Sequence, residues 1–442
     1  MASKPLFPDR PPTGEGILPS QEILDLVQTG KICSNLEISE DQVQPSSLDL
    51  RLSDEAYAVR ASFLPGKSTT LLNKAKANGM LVDTVDISNG ALLKPGVIHI
   101  IPLMETLNLP SDVYGIANPK SSTGRLDIFT RLITEFGDEF ERVQKGYRGQ
   151  LYIEVISQTF PIIVRAGMRL NQLRFGRGRR GVVGEDRLKQ LDQSDFLIEP
   201  DEESGQARID RGLRLTVDLQ GNGSGIVGYK AKRRSPPIDL GLIDHYEVAE
   251  FWTPIYKGRK CILRPGEFYI LASKQRVRIP PDLAGEMLPY DLATQEFRVH
   301  YAGFFDPGFG YGREGEIPGT RAVLEVRANE MPILLEDDQF VGRLNYYNMS
   351  AKPQKVYGGL IGSNYQQQGL ALSKQFKREQ FTSGSRPDLR LTKTDSIRSV
   401  PEKPNEGQHS AGSDDEAPKQ RTNFAFAQGS FTQWMNAKSR GE

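Results

Sequence analysis

The sequence is poor in the residue types that hold small secreted domains and zinc sites together. It has only two cysteines, Cys33 and Cys261, among 442 residues. Two thiols so far apart exclude a disulfide framework and a zinc site built on paired thiolates. We therefore expect a protein of a reducing compartment, the cytoplasm, that binds no zinc.

Long apolar runs and an excess of charge of either sign are also absent. No run approaches the roughly 18–20 residues of a membrane span, and the first residues lack the apolar region of a secretory signal. Fifty-six Lys and Arg balance 56 Asp and Glu, so no overall basic field attracts nucleic acid or anionic lipid. We expect neither a nucleic-acid nor a membrane partner, and a polyanion must be bound locally.

Composition divides the chain into segments. Prolines and glycines predict a flexible leader over residues 1–16. Short β-rich stretches broken by Gly and Pro run from about 43 to 175 and again from 211 to about 348, whereas the charged residues 179–210 indicate a linker. Residues 385–442 contain too few apolar side chains to fold alone, which predicts a disordered tail. The pattern is typical of a mostly β fold with short helices.

The two β-rich regions repeat one pattern of turn residues. Matches at offsets of 170 or 171 residues include Lys94-Pro95-Gly96 with Arg264-Pro265-Gly266, Pro119 with Pro289, and Glu154-Val155 with Glu325-Val326. Since proline and glycine hold turns at fixed places, their common register indicates a common fold. We predict two tandem β-domains, residues 17–178 and 211–384.

The segment Asn118–Arg125 (NPKSSTGR) concentrates polar groups in a turn between strands. Lys120, Ser121, Ser122 and Arg125 offer a point charge, short hydroxyl donors and a guanidinium fork to a phosphate chain. Taken alone, such a loop is also typical of a solvated turn.

Several motifs in order resemble the trimeric dUTPase and dCTP deaminase superfamily. Residues 120–126 resemble its phosphate-binding motif, 44–52 its early strand motif and 171–175 its closing strand. Residues 306–309 and 322–326 resemble the deaminase hairpin that holds the base and ends in the catalytic glutamate. Residues 365–373 resemble the C-terminal arm. The resemblance runs from about 17 to 376 and is closest to the duplicated bacterial form of dCTP deaminase.

The resemblance implies two dUTPase-like β-barrel or jelly-roll domains and an enzyme that deaminates dCTP to dUTP and ammonia, supplying dUTP for thymidylate synthesis. It implies Mg²⁺ carried by the triphosphate, and no zinc. A deaminase of this kind needs a carboxylate beside C4 of cytosine to take a proton from water. Both Glu154 and Glu325 stand at the corresponding hairpin position, and the choice between them stays open at this point.

The two halves differ in complementary ways. The first keeps the Lys-Ser-Ser loop, whereas the second has Tyr290-Asp291-Leu292 there, with a longer hairpin after Asp306-Pro307. Because sites of the superfamily form between neighbouring units, we predict a composite site. Its residues are Lys120, Ser121, Ser122 and Arg125 for the phosphates, Asp306 and Glu325 for base and sugar, and Tyr357, Gln367 and Gln368 closing over the triphosphate. The rival is a site built from first halves with Glu154 as the base.

Three further expectations concern assembly and alternatives. The superfamily assembles in threes and each chain carries two units, which implies a homo-oligomer. Runner-up activities are a bifunctional dCTP deaminase and dUTP diphosphatase, or a plain dUTPase. From another class, the chain could be a non-catalytic dNTP sensor whose aromatic C-terminal tail, with Phe424, Phe426, Phe431 and Trp434, binds a partner.

Overall fold

The computed structural model describes residues 14–199, 206–221, 225–288, 297–299 (backbone only), 303–328, 330–358 and 369–378. These residues belong to one compact unit of the chain. Most of the predicted leader and all of the predicted tail, 385–442, lie outside the described residues.

This unit consists of two halves and an arm. The first half contains strands β1 to β13, the second half contains strands β14 to β25, and the arm is residues 369–378. The strands of the first half are β1 (Gly16–Ile17), β2 (Ile32–Ser34), β3 (Leu48–Arg51), β4 (Glu55–Val59), β5 (Leu81–Asp86), β6 (Ala91–Leu93), β7 (Ile98–Asn108), β8 (Val113–Pro119), β9 (Ile128–Thr134), β10 (Arg142–Val143), β11 (Arg148–Ser157), β12 (Ile162–Val164) and β13 (Arg169–Arg177).

The second half continues the same numbering. Its strands are β14 (Leu213–Thr216), β15 (Ile226–Ala231), β16 (Ile238–Asp239), β17 (Trp252–Tyr256), β18 (Lys260–Leu263), β19 (Phe268–Val277), β20 (Leu283–Met287), β21 (Phe297–Val299), β22 (Phe304–Phe305), β23 (Thr320–Ala328), β24 (Ile333–Glu336) and β25 (Phe340–Asn348). The helices of the described residues are short: α1 (Ser20–Gln28), α2 (Leu71–Ala77), α3 (Ser121–Gly124), α4 (Glu185–Asp195), α5 (Val248–Phe251) and a 3₁₀ turn (Glu40–Gln42). The predicted mostly β fold is confirmed.

The two halves repeat one strand order. The sheet with strands in the order β3-β13-β8-β10 corresponds to β14-β25-β20-β22, and β4-β7-β11-β9 corresponds to β15-β19-β23-β21. The registers agree as well, because Glu154 lies opposite Ile100 and Glu325 lies opposite Ile270. The repeat in the sequence therefore reflects a repeat in strand pairing, while the exact domain boundaries stay predictions.

The strands that carry both glutamates run through the interior. In β11, Leu151, Ile153 and Val155 are buried on one face, and Tyr152 and Glu154 are buried on the other. Strand β23 is buried on both faces in the same way around Glu325. A carboxylate in such a strand is stable only with a compensating partner or with a raised pKa.

Apolar packing joins the halves and the arm. Phe160 of the first half packs edge-on against Trp252 of the second half, with 5.5 Å between ring centroids. Phe376 of the arm contacts the same Trp252 at 5.9 Å and Phe251 at 5.4 Å. Beside this cluster, Ile162 of β12 pairs in parallel with Ile238 of β16. The relative position of the two halves is thus held by core-like contacts.

A search of the described residues for a helix both long and apolar enough to cross a membrane finds none.

We predict that Trp252→Ala lowers the free energy of unfolding by about 3–5 kcal/mol, because the indole fills the junction of both halves and the arm. Trp252 is only 1% exposed. Denaturant unfolding followed by circular dichroism would measure the change. Tyr256→Ala on the same strand is the control, since Tyr256 is 64% exposed and its loss should change stability by less than about 0.5 kcal/mol. Equal losses in both variants would contradict the role of this cluster.

Candidate functional site

A cleft lies where the first half, the second half and the arm meet. The first half contributes Lys120, Ser121 and Arg125 to its lining, and the second half contributes Asp306, Glu325 and Tyr357. Ala371 brings the arm into the same lining. Six of the residues predicted from the sequence therefore meet around one cleft within a single chain.

The polar loop forms one tight helical turn at the end of a strand. Strand β8 ends at Pro119, and the amides of Thr123 and Gly124 both donate to the Lys120 carbonyl, at 2.8 and 3.0 Å. This turn directs Lys120 and Ser121 to the cleft. Ser122 is buried beneath them, and its carbonyl accepts a hydrogen bond from the Ser373 hydroxyl of the arm at 2.7 Å. The arm is therefore attached directly to the loop.

Lys120 has a buried acidic partner. Its ammonium forms an ion pair with Oδ2 of Asp49, which lies in β3 within the early strand motif. The other Asp49 oxygen, Oδ1, is buried without a hydrogen-bond partner among the described residues. In the arm, burial lowers the pKa of Lys374, and the charge of Lys120 lowers it further. The charge of Asp49 acts on Lys374 in the opposite direction. Two lysines thus lie near one carboxylate, an arrangement that favours an added anion.

Arg125 and Glu325 face each other across the two halves. Arg125 donates through Nη1 to the Ala371 carbonyl at 3.0 Å, and its Nε lies 4.0 Å from Oε1 of Glu325. Each side chain is only 8% exposed. Burial raises the pKa of Glu325 to about 8, while the charge of Arg125 opposes this rise. A carboxyl group that titrates near neutral pH can accept a proton and return it during one reaction.

Asp306 forms the opposite wall with help from the first half. The Ser46 hydroxyl donates to Asp306 Oδ1, and Arg174 Nη2 lies 3.8 Å from the same oxygen. Burial raises the pKa of Asp306, whereas Arg174 and the Ser46 hydrogen bond oppose this rise. The second-half carboxylate is thus positioned by first-half side chains.

Tyr357 follows the last strand and lies against the hairpin. Its ring centroid is 5.3 Å from that of Phe309, and its amide donates to the Pro307 carbonyl at 2.8 Å. The predicted residues Gln367 and Gln368 lie outside the described residues, as do residues 290–292.

Glu154, the alternative candidate base, does not line the cleft. Its Oε1 accepts hydrogen bonds from Nη2 and Nε of Arg131, at 2.6 and 2.9 Å. The Arg131 guanidinium in turn lies 3.6 Å from the ring centroid of Phe140. Both glutamates occupy the same strand position, but Glu154 is held in an ion pair and Glu325 opens to the cleft.

Sequence reasoning did not single out Ser46, Asp49 or Arg174, although all three lie inside motifs that it recognised. Ser46 lies just before β3, between Pro45 and Ser47. Asp49 and Arg174 are charged residues between apolar neighbours within strands, in SSLDL and in NQLRF. That interruption was the available signal. It could not show that the strands place these groups behind a cleft formed with the other half.

Within the ranges that the structure describes, no three His, Cys, Asp or Glu side chains lie close enough to hold a metal ion. The expectations about zinc and Mg²⁺ stay predictions.

Comparisons with known proteins indicate one family across most of the chain. The family model for the N-terminal domain of 2'-deoxycytidine 5'-triphosphate deaminase matches residues 14–179, and the model for its C-terminal domain matches residues 184–376. The chain is similar to the crystal structure of 2'-deoxycytidine 5'-triphosphate deaminase from Agrobacterium tumefaciens. The TM-score is 0.71 and the identity 45%, over 76% of this chain and 99% of that one.

Two curated relatives match about a third of the chain. A dCTP deaminase of Halorubrum lacusprofundi is 29% identical over 163 residues, which are 36% of this chain and 76% of the relative. A "dCTP deaminase, dUMP-forming" of Hydrogenobaculum sp. is 30% identical over 163 residues, which are 36% of this chain and 82% of the relative.

We predict that Glu325→Gln gains stability relative to the native chain as the pH rises from about 5 to about 8. The pKa of Glu325 rises from 4.5 to about 8 on folding, so below 4.5 the carboxyl is protonated in both states and has no effect. Above that value the unfolded chain loses its proton first, and the native chain becomes progressively less stable until about pH 8. A glutamine side chain does not ionise, so the variant does not lose stability in this way. Thermal unfolding of both proteins at pH 5 and pH 8 would measure the difference.

Glu154→Gln is the matched control for this stability experiment. It removes the carboxylate from Arg131 and should lower stability by about 1–3 kcal/mol at neutral pH. A constant stability difference between Glu325→Gln and the native chain at both pH values would show that burial does not penalise the Glu325 carboxylate.

Proposed function

The chain belongs to the 2'-deoxycytidine 5'-triphosphate deaminase family, and we propose that it hydrolyses dCTP to dUTP and ammonia in the cleft between its two halves. The observation that carries the proposal is Glu325, a buried carboxyl group with a pKa near 8 in the same cleft as Lys120 and Arg125. Relatives whose names contain "dCTP deaminase" support dCTP as the substrate.

In this proposal the loop of the first half binds the triphosphate. Lys120 and Arg125 supply positive charge, and Ser121 and Ser122 supply short donors. Mg²⁺ enters as part of the substrate, on the triphosphate oxygens and largely through water. Tyr357 lies at the cleft, and Gln367 and Gln368 are proposed from the sequence to close over the phosphates.

Glu325 acts as the general base and then as the proton donor. It takes a proton from water as the water oxygen bonds to C4 of cytosine, and passes this proton to the amino nitrogen. The C4–N bond breaks and ammonia leaves, while the hydroxyl on C4 becomes the carbonyl of uracil as its proton passes to N3 of the ring. Arg125, 4.0 Å away, stabilises the ionised carboxylate without being hydrogen-bonded to it. Asp306 forms the wall against which base and sugar bind.

The described contacts favour this composite site over a site with Glu154 as the base. Two donors of Arg131 occupy Oε1 of Glu154, and Glu154 is fully buried. A water molecule and a pyrimidine would have to displace this ion pair. The nearest guanidinium to Glu325, that of Arg125, lies 4.0 Å away, and Glu325 already lines the cleft that contains Lys120 and Ser121.

The finer expectations about fold and physiology are part of the same proposal. The repeated strand order supports two dUTPase-like β-barrel or jelly-roll domains in tandem. The product dUTP would serve thymidylate synthesis. The homo-oligomer stays a prediction, and the cleft does not require it, because one chain supplies the loop, the glutamate and the arm.

A second candidate is a bifunctional enzyme that converts dCTP to dUMP and releases pyrophosphate as well as ammonia. The printed name of the Hydrogenobaculum relative, "dCTP deaminase, dUMP-forming", favours testing it. Nothing in the described part of the chain favours a plain dUTPase or a non-catalytic sensor.

We predict that Glu325→Gln lowers the rate of ammonia release from dCTP with Mg²⁺ by about 10²–10⁴-fold, because the amide cannot accept a proton from water. Glu154→Gln should keep most of the activity. A coupled ammonia assay, with chromatography of the nucleotides, would measure both. Loss of activity in Glu154→Gln alone would show that the general base is Glu154 of the first half. Release of pyrophosphate by the native enzyme would identify the bifunctional form.

We also predict that Arg125→Ala and Glu325→Gln chains do not complement each other. The two variants would be co-expressed with different affinity tags, purified over both tags and assayed for ammonia release. A site between chains would combine an intact Arg125 and an intact Glu325 in mixed assemblies, whereas a site within one chain cannot. Recovered activity would therefore contradict the intrachain cleft. A wild-type chain co-expressed with a doubly substituted chain is the control for the procedure.

A further inference from the structure

Arg174 is a buried arginine that reaches from one half of the protein into the other. It lies in β13, the closing strand of the first half, and is only 2% exposed. A buried guanidinium is costly unless its donors are occupied. Its partners therefore indicate why an arginine stands at this position.

Three of those partners are neutral oxygens at one wall of the cleft. Nη1 donates to the Gly285 carbonyl at 2.9 Å, and Nη2 donates to the Phe305 carbonyl at 3.3 Å and to the Ser46 hydroxyl at 3.0 Å. The guanidinium carbon also lies 4.0 Å from the ring centroid of Phe304. One side chain thus contacts β20, β22 and the early strand motif together.

Asp306 completes this arrangement. Its Oδ1 lies 3.8 Å from Arg174 Nη2 and accepts the hydrogen bond of Ser46, which Arg174 also contacts. Phe304, Phe305 and Asp306 all line the cleft, whereas Arg174 itself does not. Arg174 therefore supports the wall from behind.

We propose that Arg174 is a positioning residue that holds Phe304, Phe305 and Asp306 in the geometry that binds the nucleotide. The inference rests on the proposed function only in that a pyrimidine nucleotide occupies this cleft. Arg174 has no described contact with Glu325 or Arg125. Its removal should therefore weaken nucleotide binding more than it slows the chemical step.

Lysine cannot replace this arginine fully. The planar fork of Arg174 serves two carbonyls, one hydroxyl and one nearby carboxylate from two nitrogens. A lysine ammonium is a single point with three donors on a flexible stem and cannot reach both carbonyls in this way. It would still place a positive charge near Asp306. Comparing Arg174→Lys with the neutral variant Arg174→Met therefore separates the effect of the charge from the effect of the hydrogen-bond geometry.

The positive charge of Arg174 also affects the pKa of Asp306. The groups that face this carboxyl are Arg174, Ser46 and Lys120, which favour its ionised form, and Asp49, which disfavours it. Loss of the Arg174 charge leaves burial and Asp49 less opposed, so the pKa of Asp306 rises. This weaker ionisation of Asp306 is a second reason to expect weaker nucleotide binding in a neutral variant, and the lysine variant should avoid it.

The test compares Arg174→Met, Arg174→Lys and a control, Arg165→Met. Arg165 also joins the two halves, through Asp239 at 2.5 and 2.7 Å, but does not line the cleft or contact its wall. We would measure kcat and KM for dCTP between pH 6 and 9, together with the melting temperature. Arg174→Met should raise KM about tenfold and change kcat by less than about threefold. Arg174→Lys should show a smaller rise, and the control should keep its KM.

Several results would overturn the inference. One is an Arg174→Met enzyme with the KM of the control, and another is a fall in kcat at unchanged KM. If Arg174→Met does not fold, Arg174→Lys and Ser46→Ala decide the matter, because Ser46→Ala removes only the link between Arg174 and Asp306. An unchanged KM in both would then contradict the inference.

Failure of the proposed function can be told apart from failure of this inference. Equilibrium binding of dCTP would be measured on the same proteins. A native chain that binds dCTP but releases no ammonia, with weaker binding in Arg174→Met, would refute deamination and support the positioning role. A native chain that deaminates dCTP, with an unchanged KM in Arg174→Met, would refute the positioning role alone. A native chain that neither binds nor deaminates dCTP would overturn both.

Discussion

The approach of Arg125 to Glu325 is the interaction on which the rest of the site depends. The two groups come from different halves and stand 4.0 Å apart in a cleft that leaves each of them 8% exposed. Burial alone would keep Glu325 protonated far above its usual range, and a closer ion pair would keep it permanently ionised. The separation leaves a carboxyl group whose pKa of about 8 lies near neutrality. That balance exists only while both halves keep their relative position.

The contacts between the halves explain how this position is kept. Trp252 and Phe160 pack at the junction, and Phe376 fixes the arm to the same cluster. From that anchor the arm returns to the loop that begins at Lys120, where Ser373 contacts Ser122 and Ala371 contacts Arg125. The residues that hold the fold together are thus continuous with those that line the cleft.

The repeated strand order places two glutamates at one strand position with opposite environments. Glu154 lies opposite Ile100 as Glu325 lies opposite Ile270. In the first half the neighbouring strand supplies Arg131, which holds the carboxylate in an ion pair. In the second half the guanidinium belongs to the other half and stands farther away. The two carboxylates thus differ in one partner. Arg131 is hydrogen-bonded to Glu154, whereas the guanidinium nearest to Glu325, the candidate general base, lies 4.0 Å away.

The sequence by itself determined the mostly β fold and the internal repeat, because turn residues and strand periodicity are local properties. The loop at 120–126 and the pair of candidate glutamates followed from the resemblance of their motifs to the superfamily. The sequence also indicated that Lys120 and Asp306 belong to complementary halves. Only the tertiary structure decided between Glu154 and Glu325 as the group at the cleft, since that depends on which guanidinium lies 2.6 Å away and which lies 4.0 Å away. The support of Asp306 by Ser46 and Arg174 was equally beyond the sequence, because these residues are 260 and 132 positions from Asp306 and meet it only through the packing of one half on the other.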